Sequence, residues 1–439
     1  MFIKKNYGVT VLVYLHYICR QKFLPEDSPD GFLSKNMNRT PTVFLFLFLL
    51  FAPGLAAGER GDDWMVKEVR IDTSRIHRRV ALPSQPFEAD KAKEIDKYFT
   101  TRAVRGQFNG VVLFAQGDKV FTKAYGYADF RTREKLTVSS RFQLASISKT
   151  ITATAVLMLA SEGKIELGEP VATYLEGFAY PRVTVEMLLS HTSGLPDYTL
   201  FTPGAWASTD PMSNEDMLAI MNKRKPRVYF SPGRQYRYCN TNYALLALIV
   251  QRVTGEDFAS WVHEYIFEPV GMDDTFFCTE EAFASADRMT IGHTSRRGTY
   301  QPNFLDGVLG DKGVYSTAED LLRFDLALRN GFLLDASWQA KAYTNYTDEV
   351  HPYGWGWRLD EYQGHRIVYH NGWWHGYKGR FLRLPQEDTT IIVLENQARS
   401  SFSVAALMNI SKKLFDLPDL SDQADDSGKM AALDPREDE

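Results

Sequence analysis

Apolar positions along the chain fall into three regimes. Ile95, Tyr98 and Phe99 recur at helical spacing and predict a helix over residues 88–101. Two strand-like runs follow, 108–114 and 119–127, joined at Gln116-Gly117-Asp118. Next comes an apolar stretch over 150–162, with Ile151, Ala155, Met158 and Leu159 at helical spacing and Gly163 as a stop. It predicts a buried helix with Ser146 in its first turn. Helical periodicity then dominates to about residue 345, with helices expected over 184–189, 214–222, 243–254, 258–266 and 318–329, the last capped by Ser316-Thr317. Strand character returns at 353–359, 366–369, 379–384 and 389–395, and a helix is expected over 402–415. Strands at both ends with helices between them predict an α+β fold. Its antiparallel sheet is built from residues 88–150 and 350–417, is flanked by helices, and carries an inserted, mostly α-helical lobe over 151–349.

The ends of the chain read differently. Met37-Asn38-Arg39-Thr40, the apolar run 43–51 and Gly54-Leu55-Ala56-Ala57 have the basic, apolar and small-residue parts of a secretory signal over 37–57. The expected location is therefore periplasmic or secreted, with no membrane span once the signal is removed. Residues 1–36 read as translation upstream of a true start at Met37; the apolar run 9–18 is too short for a membrane anchor. Residues 58–87, charged and Pro-containing, are expected as a linker, and the acidic, small-residue stretch 418–439 as a disordered tail. Across 439 residues the net charge is −5, which gives no basic footprint for nucleic acid. The three cysteines, Cys19, Cys239 and Cys278, argue against a disulfide scaffold, and no histidine spacing suggests a metal. No cofactor is expected, and the partner called for is a small-molecule or peptide substrate.

Three stretches carry chemistry. In the first, Ser146 and Lys149 stand one turn apart, so a Lys held neutral by burial could take the serine proton. Ser-x-x-Lys is a common pattern, and a capping Ser with a solvated Lys is the plain alternative. Against it, Lys149 is the only charge between Arg141 and Glu162. In the second, Tyr238 and Asn240 stand two apart in an irregular segment after Pro232-Gly233. A phenol can relay a proton and an amide can hold a Lys, although both are also ordinary loop residues. In the third, His370-Asn371-Gly372-Trp373-Trp374-His375-Gly376 lies between two expected strands, where glycine admits close approach to the backbone.

Taken together and in order, these stretches resemble the serine hydrolases of the β-lactamase and penicillin-binding fold, in the branch with class C β-lactamases, D-Ala-D-Ala carboxypeptidases and related esterases. Leu188 to Pro196 and Gly313 to Asp320 add to the resemblance, which covers about residues 88–415. It implies Ser146 as acylated nucleophile and Lys149 as its base. Tyr238 would accept the serine proton directly or through Lys149 and pass it to the leaving group, and Asn240 would orient Lys149 and substrate. His370, Asn371, Gly372 and Trp373 would line the substrate, with the backbone N–H groups of Ser146 and Trp373 as oxyanion donors. His191 falls in a turn that the resemblance implies is structural. The chain has His370-Asn371-Gly372 where many β-lactamases carry Lys-Thr-Gly, which weakens the expected hold on a substrate carboxylate. The expectation is an exported hydrolase of amides or esters of small peptides or related compounds. The alternatives are a β-lactamase and a catalytically silent binder of cell-wall peptides, and the presence of all four catalytic positions favours an enzyme.

Overall fold

The computed structural model describes residues 79–278, 287–399, 402–412, 414–415 and 417. Helix α1 (Ala89–Val104) precedes the hairpin of β1 (Gly110–Gln116) and β2 (Lys119–Tyr125). Short strands β3 (Tyr127–Asp129), β4 (Glu134–Lys135) and β5 (Phe142–Gln143) lead to a 3-10 turn, Ala145–Ile147, and to α2 (Ser148–Ser161). After the helices Val185–Leu189, Tyr198–Phe201 and Asn214–Arg224 come α3 (Asn240–Thr254), β6 (Phe276–Phe277), β7 (Val314–Ser316) and α4 (Ala318–Arg329). Strands β8 (Arg358–Tyr362), β9 (His365–Trp374), β10 (Tyr377–Leu384) and β11 (Thr389–Glu395) follow, then α5 (Val404–Ser411), with shorter helices such as Phe258–Val262 and Ala336–Ala342 in the lobe.

The main sheet has the order β2-β1-β11-β10-β9-β8 and is antiparallel throughout. Residues from both ends of the chain thus meet in its centre, where Gly110 pairs with Glu395. Period-2 alternation gives it two apolar faces. Val111, Leu113, Ile392 and Leu394 face the core shared with the helical lobe. Val112, Phe114, Ile391 and Val393 face the other, under Ile95 and Phe99 of α1 and Leu407 and Met408 of α5. Both faces are covered there, so β1 and β11 read as apolar runs. Inside the lobe, α2 is buried on every side from Ser148 to Ala160 and packs on α3. A helix wrapped all round must be apolar all round, and Lys149 is its one charged residue.

Several expectations need correction. The helix expected to start at Tyr243 starts at Asn240, so Asn240 belongs to a regular first turn rather than to an irregular segment. The strand expected at 353–359 is β8, Arg358–Tyr362; Gly356 adopts φ +85° and breaks extension before it. The strand expected at 366–369 runs on to Trp374, so the His-Asn-Gly stretch is the end of β9 rather than a connection between strands. Of the expected linker, residues 79–87 pack against the fold. Val80 and Phe87 are buried, and Val120 N–H donates to Gln85 O at 2.8 Å. The calls on residues 1–36, 37–57 and 418–439, and on residues 58–78 of the linker, lie outside the described residues.

Strands β5, β7 and β6 form a small sheet in the order β5-β7-β6. It pins the approach to Ser146: Leu144 N–H donates to Val314 O at 2.8 Å, and Val314 N–H donates to Ser148 Oγ at 3.3 Å.

Candidate active site

Ser146 stands in the 3-10 turn Ala145–Ile147 rather than in the first turn of α2 itself. Ala145 before it takes φ +49°, a left-handed conformation that costs a residue with a Cβ roughly 1–2 kcal/mol. Such strain persists only where the surroundings fix it, and here β7 and β9 do so. Gly372 of β9 lies so close to this turn that a Cβ built on it would stand 2.2 Å from Leu144 O and 3.3 Å from Ala145 Cβ. Only glycine lets the strand approach in this way.

Lys149, one turn on, is fully buried. Its Nζ lies 2.9 Å from Ser146 Oγ, 2.9 Å from Asn240 Oδ1 and 2.9 Å from Asp311 O. Burial lowers its pKa to about 8, against the opposing pull of Asp311 and Asp197. Asn240 is fixed in turn, because its N–H donates to Asp197 Oδ2 at 2.8 Å. Tyr238 brings its ring to 4.9 Å from Lys149 Nζ. Its hydroxyl is buried with no hydrogen bond of normal geometry. Burial raises the Tyr238 pKa, while Arg358, 5.4 Å over the ring, and the neighbouring Ser146 hydroxyl pull it back.

The geometry therefore brings Ser146, Lys149, Tyr238 and Asn240 together, with Gly372 against the serine turn. The other three expected residues behave differently. His370 is buried, and both ring nitrogens are engaged: Nδ1 at 2.6 Å from Asn371 O and Nε2 at 3.0 Å from the Tyr353 hydroxyl. An imidazole that donates from Nδ1 to a carbonyl leaves Nε2 as acceptor for the phenol, which fixes the neutral form. Burial, Arg358 and Lys149 all hold its pKa well below the ordinary value. His370 thus presents neither charge nor a free nitrogen to a carboxylate. Asn371 and Trp373 alternate with His370 and Gly372 along β9, and so their side chains take the opposite face. Trp373 is 55% exposed, whereas Trp374 turns inward, with Nε1 donating to Asp306 Oδ1 at 2.6 Å and its ring 5.2 Å from Lys312 Nζ.

His191 serves as a bracket, with Nδ1 accepting from Cys239 N–H at 3.2 Å beside Asn242. Burial holds its pKa well below the ordinary value. Asp197, Tyr198, Asp311, Lys312 and Tyr353 were not picked out for this role in the sequence. Asp197 follows Leu195-Pro196, and Asp311-Lys312 precedes Gly313 to Asp320, so each adjoins a recognised stretch. Their contacts with Lys149, Asn240 and His370 are tertiary and leave no local pattern.

Comparison with known proteins gives one consistent picture. A family profile described as Beta-lactamase matches residues 95–412. Penicillin-binding protein 4* of Bacillus subtilis (strain 168) is 31% identical over 365 residues, which cover 79% of this chain and 81% of that protein. A D-aminopeptidase of Brucella anthropi is 27% identical over 322 residues, 70% of this chain and 59% of that one. The penicillin-binding protein from Bacillus halodurans superposes with a TM-score of 0.63 at 26% identity, covering 72% of this chain and 99% of that chain. D-amino acid amidase from Ochrobactrum anthropi SV3, at 22% identity and TM-score 0.62, covers 74% of this chain and 97% of its own and shares the fold.

Proposed function

Because the chain belongs to the β-lactamase family and is a serine hydrolase of that fold, we propose that it cleaves amide bonds of small peptides or amino acid amides through an acyl-enzyme on Ser146. The observation that carries this reading is the 2.9 Å separation of the fully buried Lys149 Nζ from the half-buried Ser146 Oγ. In its neutral form Lys149 has two N–H groups for Asn240 Oδ1 and Asp311 O, and its lone pair faces the serine. Ser146 Oγ then attacks the substrate carbonyl as its proton passes to Lys149. The developing oxyanion is met by the backbone N–H groups of Ser146 and Trp373, brought near each other by the close approach of Gly372. Collapse breaks the C–N bond, and Tyr238, recharged from Lys149, protonates the departing nitrogen. Water then attacks the acyl carbon, its proton returns through the same groups, and the carboxylic acid leaves.

The names of the D-aminopeptidase and D-amino acid amidase relatives support a D-configured residue on the acyl side of the scissile bond. A β-lactamase is the weaker reading, because His370 offers no cation for the carboxylate. A silent binding protein is weaker still, since Ser146, Lys149, Tyr238 and Asn240 are all in place. The basic, apolar and small-residue order over 37–57 supports export to a periplasmic or extracellular location. N-terminal sequencing of the mature protein tests this, and retention of residues 9–18 would contradict it. The substrate reading is tested by comparing D- and L-phenylalaninamide on the wild type and on Ser146→Ala. Turnover of the D form alone, lost in the variant, is expected; equal rates for both enantiomers would overturn the stereochemical part.

A further inference from the structure

A second buried charged cluster adjoins the nucleophile, and the acylation steps leave its side chains unused. Asp311 and Lys312 are each 3% exposed. The carbonyl of Asp311 accepts from Lys149 Nζ, so its carboxylate hangs from the residue that helps hold the base. One carboxylate oxygen, Oδ2, accepts from the Tyr198 hydroxyl at 3.1 Å. The other, Oδ1, is buried without a hydrogen-bond partner. Its ion-pair neighbour is Lys312 Nζ at 3.6 Å, outside hydrogen-bond range. Lys312 directs its own N–H groups to the Tyr198 hydroxyl at 2.5 Å and Val308 O at 3.1 Å.

A buried carboxylate oxygen left without a donor destabilises the free protein, and a ligand donor would relieve that cost. The surrounding charge favours a cationic donor. Asp311, Asp306 and Asp197 all act on Lys312, while Arg358 lies off to the side over the Tyr238 ring. With Lys149 neutral, as acylation requires, these three carboxylates are met by the ammonium of Lys312 and, at Asp306, by His375 Nε2 at 3.4 Å. In an aminoacyl substrate the α-nitrogen stands two bonds from the carbon that Ser146 attacks. Lys149 Nζ lies 2.9 Å from Ser146 Oγ and 2.9 Å from the backbone carbonyl of Asp311, so the residue that carries this carboxylate is bonded to the same amine as the attacking hydroxyl.

Building on the acyl-enzyme reading above, we infer that Asp311 Oδ1 receives the free α-ammonium of an aminoacyl amide or peptide, which makes Asp311 a specificity-determining residue for an unblocked amino end. Trp374, with Lys312 against its ring, borders the same subsite.

The experiment measures kcat/KM for D-phenylalaninamide, its N-acetyl form and its N-succinyl form on wild type and Asp311→Asn. The wild type is expected to favour the free amine over the acetylated form. In Asp311→Asn the ratio should fall roughly 10- to 100-fold, the loss expected for a hydrogen bond between charged groups. The wild-type ratio should also decline as pH rises through roughly 7.7–8.0, where an α-amino group loses its charge. Taking the ratio cancels the titration of Lys149, so this arm reports whether the charged amine is preferred, and Asp311→Glu, which keeps the carboxylate and should keep the preference, serves if Asp311→Asn does not fold. A ratio unchanged in Asp311→Asn, a ratio indifferent to pH, or a preference for the N-succinyl form overturns the inference while leaving the acyl-enzyme intact. If no amide is cleaved although p-nitrophenyl acetate acylates Ser146, the amide reading fails and the inference falls with it.

Discussion

Lys149 Nζ and Ser146 Oγ lie 2.9 Å apart, and Lys149 has no exposed surface while Ser146 is half-buried, so a desolvated amine meets a hydroxyl that stays open to substrate. Burial is the largest influence on this lysine and favours its neutral form, with a pKa of about 8. The acid limb of the kcat/KM profile should therefore rise with pH and bend near 8, because the protonated amine cannot accept the serine proton. Lys149→Ala should lower acylation by about 10²- to 10⁴-fold in protein shown by circular dichroism to be folded. Wild-type rates in that variant would remove Lys149 from the mechanism.

Tyr238 has a different signature. An amine leaving group needs a proton before it can depart, whereas p-nitrophenolate does not. Tyr238→Phe should therefore slow hydrolysis of D-phenylalaninamide by about 10²-fold or more and affect p-nitrophenyl acetate much less. Equal losses on both substrates would assign Tyr238 to activating Ser146 instead.

Gly372 tests the close contact between β9 and the serine turn. A Cβ at this position would sit 2.2 Å from Leu144 O, so Gly372→Ala must push the strand from the turn. Labelling of Ser146 by a fluorophosphonate should drop by at least roughly tenfold, a displacement of reacting groups being enough for that. Far-UV dichroism should change little, since the rest of the sheet keeps its pairing. Unchanged labelling would show that the approach of β9 does not matter to the site.

Much of this was legible along the chain because it rests on local patterns. The α2 region announced itself through an apolar run interrupted by a single Lys, and β1 and β11 through the apolar runs Val111 to Ala115 and Ile391 to Leu394. What escaped depends on distant partners. Asn240-Thr241-Asn242 looks too polar to open a helix, yet Asp197 binds the Asn240 N–H and Ser193 donates to Asn242 Oδ1 at 2.7 Å. The end of β9 was missed because Asn371 and Gly372 disfavour strands, a preference overridden by pairing with Arg380 and Gly379 of β10. Strands β5, β6 and β7 are too short to carry a period. Val80 and Phe87 are isolated apolar residues in a charged stretch, and nothing local distinguishes them from exposed ones. Which side of β9 faces the nucleophile could be settled only by register, which turns the Trp374 side chain inward and leaves that of Trp373 exposed.

The setting of His370 predicts selectivity against β-lactams. Its neutral, doubly engaged ring gives a substrate carboxylate no charge-assisted bond, so amides and short esters should exceed a nitrocefin-type β-lactam in kcat/KM. A β-lactam preferred by tenfold or more, about 1.4 kcal/mol of transition-state preference, would contradict this.

The central claim is covalent catalysis by Ser146, and intact-protein mass spectrometry tests it most directly. Wild-type protein quenched in acid during turnover of a slow acylating D-aminoacyl ester should gain the mass of one acyl group. Peptide mapping should place it on Ser146, and Ser146→Ala should gain nothing. An adduct on another residue, or the same adduct in Ser146→Ala, would contradict the account.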